Sequence, residues 1–218
     1  MKTPLKVTLI AITAVIALVS GAIIYTTATR PQAPQDDNAA AALPGARSNS
    51  HVLDSAGPDA PTLVEFLDFE CEACGAFYPY VEQIREQYDG QINYVLRYYP
   101  IPSHYNSMNA ALAVEAAAQQ DRIEDMYHRM FETQSEWGEQ LVSEADLFRS
   151  FATDLGLDMT AYDQAIADPA TRERVEEDFA EGQQMGVQGT PTFFLDGEQL
   201  ELTQLTDLTD ALDRALTD

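Results

Sequence analysis

A chain of 218 residues with 45% hydrophobic residues is long enough for one domain with a proper core. Its formal net charge of -24 excludes a nucleic-acid-binding protein, because a phosphate backbone requires a basic face, and it argues against binding of anionic lipid by the globular part. The acidic residues are interpreted as a solvated surface that keeps the protein soluble, with adaptation to a salty exterior as the alternative. The two cysteines are too few for a disulfide-stabilised scaffold.

The N-terminal residues 1–28 have the pattern of a membrane anchor. Val7–Ala28 carries no charge over about 22 residues, and a helix needs about 20 apolar residues to cross a bilayer. Lys2 and Lys6 precede this run, and cytoplasmic flanks favour Lys and Arg, so we expect a single-pass anchor with its N terminus inside the cell. A cleaved signal peptide is the alternative, although its apolar core is usually shorter. Both interpretations export the rest of the chain.

Residues 29–61 predict a flexible linker. Proline, glutamine, aspartate, alanine, serine and glycine dominate this stretch, and it shows no apolar periodicity. His51–Leu53, near its end, is a candidate edge strand.

Residues 62–218 predict one α/β domain whose helices are unevenly distributed. A buried strand, a helix and a second strand come first, and residues from about 103 to 186 then predict about five helices and no strand. A hairpin and an amphipathic C-terminal helix follow. This order indicates an α/β core with an all-helical insertion. The predicted core elements are Thr62–Phe69, Ala76–Tyr88, Gln91–Tyr99, Thr192–Leu195, Glu198–Leu202 and Thr203–Leu216.

The chemistry points to Cys71 and Cys74, which stand between a predicted strand and a predicted helix. At a helix N-terminus, unpaired backbone N–H groups and the helix dipole favour a thiolate, which is the nucleophile of disulfide exchange. A second cysteine one turn later can resolve the mixed disulfide. We therefore predict Cys71 as the attacking thiol and Cys74 as the resolving thiol. A zinc site is the alternative, but zinc usually takes four ligands, and the three histidines lack ligand-like spacing.

Two longer motifs, LVEFLDFECEACGAFYP and GVQGTPTFFLDG, resemble the DsbA-like branch of the thioredoxin superfamily. The likeness extends from about Thr62 to the C terminus and includes the place and size of the helical insertion. It implies a thioredoxin-like fold, a redox-active Cys71–Cys74 disulfide, and no bound cofactor or metal.

The resemblance also assigns roles to residues outside the cysteine pair. Thr190-Pro191 matches the loop whose proline is cis in that family, and such a loop leaves backbone groups free to bind an extended substrate. Glu65 matches the buried acid beneath the active site, and burial would raise its pKa so that it could shuttle the proton of Cys74. Phe69 and Phe77 are candidates for an apolar substrate platform, with ordinary packing as the alternative.

The dipeptide between the cysteines departs from the family pattern. Strongly oxidising members have Pro-His there, whereas this chain has Glu72-Ala73. An anionic Glu72 should disfavour the thiolate, and strong oxidants depend on a stabilised thiolate. We therefore expect either a milder oxidant or a reductant.

These observations together predict a membrane-bound, extracytoplasmic enzyme that introduces disulfides into reduced, unfolded exported proteins. The resemblance implies reoxidation by a quinone-linked membrane partner of the DsbB or VKOR type. A tethered reductase or isomerase is the main alternative. A non-catalytic chaperone is less favoured, because both cysteines are present, and a glutathione-binding transferase ranks low because such relatives commonly lack one cysteine.

Overall fold

The computed structural model describes residues 43–217. The predicted anchor, residues 1–28, and the first part of the predicted linker lie outside this range. Among the helices of residues 43–217, none is long and apolar enough to cross a membrane.

One five-stranded sheet forms the centre of the domain, with the strand order β1-β3-β2-β4-β5. Only β2 and β3 pair in parallel, and every residue of these two strands is buried, as expected for central strands covered on both faces. The remaining pairs are antiparallel. The strands are β1 (His51–Asp54), β2 (Thr62–Leu67), β3 (Asn93–Tyr98), β4 (Thr192–Leu195) and β5 (Glu198–Gln199).

The helices confirm the predicted α/β core with an all-helical insertion. Helix α1 (Glu72–Gln87) connects β2 to β3, and α8 (Thr206–Ala215) ends the described chain. The insertion between β3 and β4 contains α2 (Ser107–Ala118), α3 (Ile123–Glu132), α4 (Gln134–Trp137), α5 (Ala145–Asp154), α6 (Met159–Ala167) and α7 (Pro169–Gln184). It has six helices instead of five because Thr133 interrupts one predicted helix, where its hydroxyl donates to the Arg129 carbonyl at 2.6 Å.

Helix α2 is the centre of the insertion. Its many alanines let neighbouring helices approach closely, and α3, α5, α6 and α7 all contact it. Met126, Met130, Phe131 and Trp137 form part of the buried core of the insertion, and Met108 packs against this core. This core continues to the cysteines, so the insertion and the redox site share one hydrophobic cluster.

The structure differs from the predicted linker from residue 43 onward. Leu43 is buried against the sheet, Arg47 forms an ion pair with Glu177, and β1 pairs with β3 as the predicted edge strand. Such isolated anchors, separated by polar residues, leave no periodic pattern for sequence analysis to detect.

Two local signals show how the ends of elements are set. Asp196 and Gly197 both have positive φ, 50° and 84°, which is the conformation of the predicted tight hairpin turn. The return strand stops at Gln199, however, and is shorter than predicted. Asp158 is the N-cap of α6, because its carboxylate accepts hydrogen bonds from the N–H groups of Thr160 and Ala161.

Candidate active site

Cys71 and Cys74 lie at the start of α1, where β2 ends. Cys71 is the N-cap residue with extended backbone angles, and Cys74 lies in the first turn. Both are in the reduced form. Both sulfurs are largely buried, but Cys71 is the more exposed, at 7% against 1% for Cys74, and it lines a surface cleft. The predicted strand-to-helix position of the pair is therefore present.

The surroundings of the two sulfurs give them different acidities. A hydrogen bond from Cys74 is the largest cause that lowers the pKa of Cys71, to about 5, and Thr190 and the N–H groups of Ala73 and Cys74 add to it. Burial raises the pKa of Cys74 well above its ordinary value. Cys71 is thus a thiolate at neutral pH and Cys74 a thiol, which suits the predicted attacking and resolving roles.

The loop before β4 places Thr190 against the Cys71 sulfur. The Thr190–Pro191 peptide bond is cis. The Cys71 thiol donates a hydrogen bond to the Thr190 carbonyl oxygen, with the two atoms 3.3 Å apart. The Thr190 hydroxyl is buried, and apart from its contribution to Cys71 it has no hydrogen-bond partner among residues 43–217. The Thr190 carbonyl can therefore accept from the protonated thiol, and its hydroxyl can donate to the thiolate.

Glu65 is a buried acid on the central strand β2. It is 2% exposed, and burial raises its pKa from 4.5 to about 7 despite a hydrogen bond from the Tyr94 hydroxyl. Its charge also contributes to the raised pKa of Cys74, so the two groups interact electrostatically. A carboxyl that titrates near neutral pH beside the buried thiol has the properties of the predicted proton shuttle.

Two acids attach the redox loop, residues 68–71, to the beginning of the insertion. The Asp68 carboxylate accepts hydrogen bonds from the Ile101 N–H at 3.0 Å and from His104 Nδ1 at 2.6 Å. Glu70 accepts from the Asn106 N–H at 2.6 Å, and burial raises its pKa. The Asp68 side chain therefore joins the loop before α1 to the beginning of the insertion.

Gln134 contacts the loop before α1 from the insertion, a role that the sequence does not predict. Its side-chain amide donates to the carbonyls of Phe69 and Cys71 at 2.7 and 2.9 Å. A Cβ at Gly75 would lie 1.9 Å from the Gln134 Oε1, so glycine is what lets Gln134 reach these carbonyls. No local signal marks Gln134, because its role depends on how α4 packs.

A cleft of about 400 Å³ opens beside Cys71, and its apolar residues are not those predicted. Tyr105 and Leu141 line it, with exposures of 57% and 84%. The prediction for Phe69 was wrong, since it is 1% exposed and packs on Phe131 with ring centres 5.1 Å apart. Phe77 is half-buried against Phe193, so its proposed contact with substrate stays a prediction.

Within residues 43–217, no cluster of three or more histidine, cysteine, aspartate or glutamate side chains has the arrangement of a metal site. His128, far from the other histidines in the chain, lies on the outside of α3, where its Nδ1 and the Tyr78 hydroxyl are 2.9 Å apart.

Comparison with known proteins supports the thioredoxin-like architecture. A family model described as thioredoxin matches residues 57–214. A thioredoxin-like oxidoreductase from Silicibacter pomeroyi is 26% identical, with a TM-score of 0.64 over 78% of this chain and 94% of that chain. Two further structures share the fold. BdbD from Bacillus subtilis has a TM-score of 0.68 and 20% identity over 78% of this chain and 94% of that chain. Alpha-DsbA1 from Wolbachia pipientis has a TM-score of 0.66 and 22% identity over 78% of this chain and 92% of that chain.

The curated relatives are much longer proteins. The Na⁺/H⁺ antiporter NhaA 1 of Mycobacterium sp. (strain KMS) is 34% identical over 148 residues, which is 65% of this chain and 23% of the antiporter. NhaA 3 of Salinispora tropica is 36% identical over 146 residues, 66% of this chain and 21% of the antiporter. The chain thus spans less than a quarter of these proteins. The stretch matched in each antiporter is more than twice as long as the part of this chain outside residues 57–214. Most of the similarity to the antiporters therefore falls within the region that the thioredoxin family model matches.

Proposed function

This chain belongs to the thioredoxin family and is a protein disulfide oxidoreductase with a DsbA-like fold, and from this premise we propose that it introduces disulfides into exported proteins. The observation that carries the oxidase direction is the pKa of Cys71, lowered to about 5. A stabilised thiolate favours the reduced enzyme, so the oxidised enzyme gives its disulfide away readily.

The reaction is an exchange of two disulfides. A substrate thiolate attacks the Cys71 sulfur of the enzyme disulfide, and Cys74 leaves and takes up a proton. A second substrate thiolate then attacks the substrate sulfur of this mixed disulfide and releases the Cys71 thiolate. The substrate dithiol loses two electrons, and the enzyme disulfide gains them. Cys71 is the accessible sulfur, which supports this order of attack.

The lowered pKa of Cys71 supports a reduction potential between those of DsbA and thioredoxin. The corresponding pKa is about 3.5 in DsbA and about 7 in thioredoxin, with potentials of about -120 and -270 mV. Interpolation at a pKa of about 5 gives an expected potential of about -180 mV for the Cys71–Cys74 pair. The exposed Glu72 is not a main determinant of this pKa, so the thiolate is stabilised in spite of its charge.

The first test is the reduction potential, measured by equilibration with glutathione and dithiothreitol buffers. A value near -180 mV supports the oxidase, whereas a value near -270 mV would favour the reductase. The second test follows oxidation of a reduced, unfolded two-cysteine protein by the oxidised enzyme. We expect Cys71→Ser to abolish transfer and Cys74→Ser to lack the enzyme disulfide. Transfer that continues with Cys71→Ser would contradict the proposal.

We further propose that the domain acts outside the cytoplasm, held by residues 1–28 and reoxidised by a quinone-linked partner of the DsbB or VKOR type. The supporting observation is the uncharged N-terminal run preceded by lysines. Protease treatment of spheroplasts should digest the domain while the chain fractionates with membranes. Alkylation of cells depleted of quinone should find the cysteine pair reduced. A protected domain, or an unchanged redox state, would contradict the respective half of this proposal.

A further inference from the structure

The buried half of the active site has no direct contact with water, although thiol exchange requires it to gain and lose a proton. Cys74 and Glu65 are 1% and 2% exposed. When Cys74 leaves the enzyme disulfide as a thiolate, a proton given by Glu65 must be replaced from solvent. A polar route through the protein is needed for that replacement.

A row of hydroxyl groups leads from Glu65 to the surface. The Tyr94 hydroxyl of β3 donates to Glu65 Oε2, and Tyr127 of α3 is close enough to Tyr94 for each to affect the pKa of the other. The Tyr127 hydroxyl donates to Glu82 Oε1 of α1 at 3.1 Å. Both tyrosines are buried, at 0% and 1% exposure, whereas the Glu82 side chain is 28% exposed. We propose that Tyr94 and Tyr127 relay protons between Glu65 and Glu82, and so connect Cys74 with solvent.

The charges along this row suit a neutral relay. Burial raises the pKa of both tyrosines well above the ordinary value, so neither ionises at rest. Arg85 faces the row from α1, with its guanidinium carbon 5.1 Å from the Tyr94 ring centre and its Nη1 3.1 Å from Glu82.

The other charged groups lie at the outer end of the row. Asp54 and Glu124 pair with Arg85, and His128 Nδ1 lies 3.8 Å from Glu82 Oε2. Glu82 therefore meets both solvent and titratable neighbours, as the entrance of a proton path requires.

The proton balance follows the direction of exchange. When substrate reduces the enzyme disulfide, Cys74 takes the proton of Glu65. A proton entering at Glu82 then passes to Tyr127, Tyr127 passes its own to Tyr94, and Tyr94 passes its own to Glu65. During reoxidation the Cys74 thiol gives its proton to the Glu65 carboxylate, and each transfer runs in reverse. No electron moves along the relay, and the tyrosines return to their neutral forms.

This inference rests on the exchange chemistry of the Cys71–Cys74 pair and not on the oxidase direction. It gives the helical insertion a part in the chemistry, because Tyr127 belongs to α3. Tyr94 and Tyr127 touch neither substrate nor sulfur in the reaction, so they are positioning residues for Glu65.

The test compares Tyr127→Phe with Tyr88→Phe in the full chain. Tyr88 is a matched control, since it is also buried, at 4% exposure, and its hydroxyl donates to Asp213 of α8 at 2.7 Å, away from the row. Stopped-flow reduction of the enzyme disulfide by dithiothreitol is measured from pH 5 to 9 in H₂O and D₂O. We expect Tyr127→Phe to slow exchange about tenfold and to enlarge the solvent isotope effect. The reduction potential should stay at the wild-type value.

Glu82→Gln provides a second test at a partly exposed position where folding is safer. It keeps an acceptor for Tyr127 but cannot deliver a proton, so we expect a similar loss of rate. Rates in both variants that lie within twofold of the Tyr88→Phe rate would overturn the relay. A loss of rate that a changed reduction potential fully accounts for would overturn it as well. The two proposals can fail separately. If Tyr127→Phe slows exchange with dithiothreitol but the wild-type enzyme does not oxidise protein substrates, the relay stands and the oxidase proposal is rejected.

Discussion

The Thr190 hydroxyl lowers the pKa of Cys71 and has no other partner among residues 43–217, and a single isosteric substitution can remove it. In Thr190→Val the thiolate loses one hydrogen bond, and hydrogen bonds to charged groups contribute about 1.5 kcal/mol or more. We therefore expect the pKa of Cys71 to rise by about one unit and the reduction potential to become more negative. Ultraviolet titration of the thiolate in the reduced enzyme measures this shift.

Thr192→Val is the matched control for that substitution. Thr192 begins β4 directly after this loop, and its hydroxyl donates to the Gly189 carbonyl at 2.7 Å and not to the sulfur. An equal shift in both variants would mean that the loop has moved and that the Thr190 hydroxyl is not the cause.

The burial of Glu65 should appear in the pH dependence of stability. Between pH 4.5 and about 7 the folded protein keeps this proton while the unfolded chain has lost it. The folded state binds more protons, so the free energy of unfolding falls as pH rises, by about 1.4 kcal/mol per unit and about 3 kcal/mol in total. We expect Glu65→Gln to remove this decrease in the free energy of unfolding, because glutamine does not titrate.

Denaturant unfolding of the oxidised enzyme measures the effect without titrating thiols. The stability of Glu65→Gln relative to wild type should increase from pH 4.5 to 7 and then stay constant. A difference that is independent of pH over this interval would show that Glu65 titrates normally.

At the scale of elements, the contact between α4 and the start of α1 predicts a coupling between Gly75 and Gln134. Gln134→Ala removes two hydrogen bonds to the redox loop, which we expect to cost about 1 to 3 kcal/mol of stability. Gly75→Ala should cost about as much, because its new methyl group displaces the Gln134 amide.

The double variant separates this coupling from the general effect of alanine. Without the Gln134 side chain, alanine at position 75 meets no obstacle and favours the helix by about 1 kcal/mol over glycine. Gly75→Ala should therefore be destabilising in the wild type and stabilising in Gln134→Ala, as measured by a double-mutant cycle. Additive effects would contradict the contact.

The elements that sequence analysis predicted are those governed by local signals. The strand before Cys71 and the hairpin at Asp196-Gly197 each depend on residues within a few positions. The break at Thr133 was missed, because a side-chain-to-backbone bond within an otherwise helical pattern decides it.

The parts of the site that were missed depend on distant packing. Cys71, Cys74 and Glu65 stand in or beside one motif, whereas Gln134 and Tyr127 reach the site only when the insertion folds onto the sheet. Phe69 was misassigned for the same reason. Its position next to the cysteines suggested a surface platform, but the insertion covers it. Spacing along the chain carries no information on such contacts.

For the whole molecule, the insertion is more than an addition to the core. Its residues Asn106 and His104 form hydrogen bonds with the two acids of the redox loop, and Gln134 donates to the carbonyls of that loop. Tyr127 of the insertion belongs to the proposed proton relay. A buried network of Arg97, Asp178 and Arg174 also joins the sheet to α7. Breaking one partner of such a network leaves an uncompensated buried charge, so the insertion and the sheet should unfold together.

The net charge of -24 should make the stability of the folded protein depend on salt concentration. Self-repulsion of like charge destabilises a compact state, and raising ionic strength from about 0.01 to 0.5 M shortens the Debye length from about 30 Å to only a few Å. Surface ion pairs such as Arg149 with Asp163 weaken as well, but exposed pairs contribute at most about 1 kcal/mol each. We therefore expect the melting temperature to rise by several degrees and then level off. NaCl and KCl should give the same curve, because screening depends on ionic strength alone. A melting temperature that falls with salt would mean that ion pairs outweigh the repulsion.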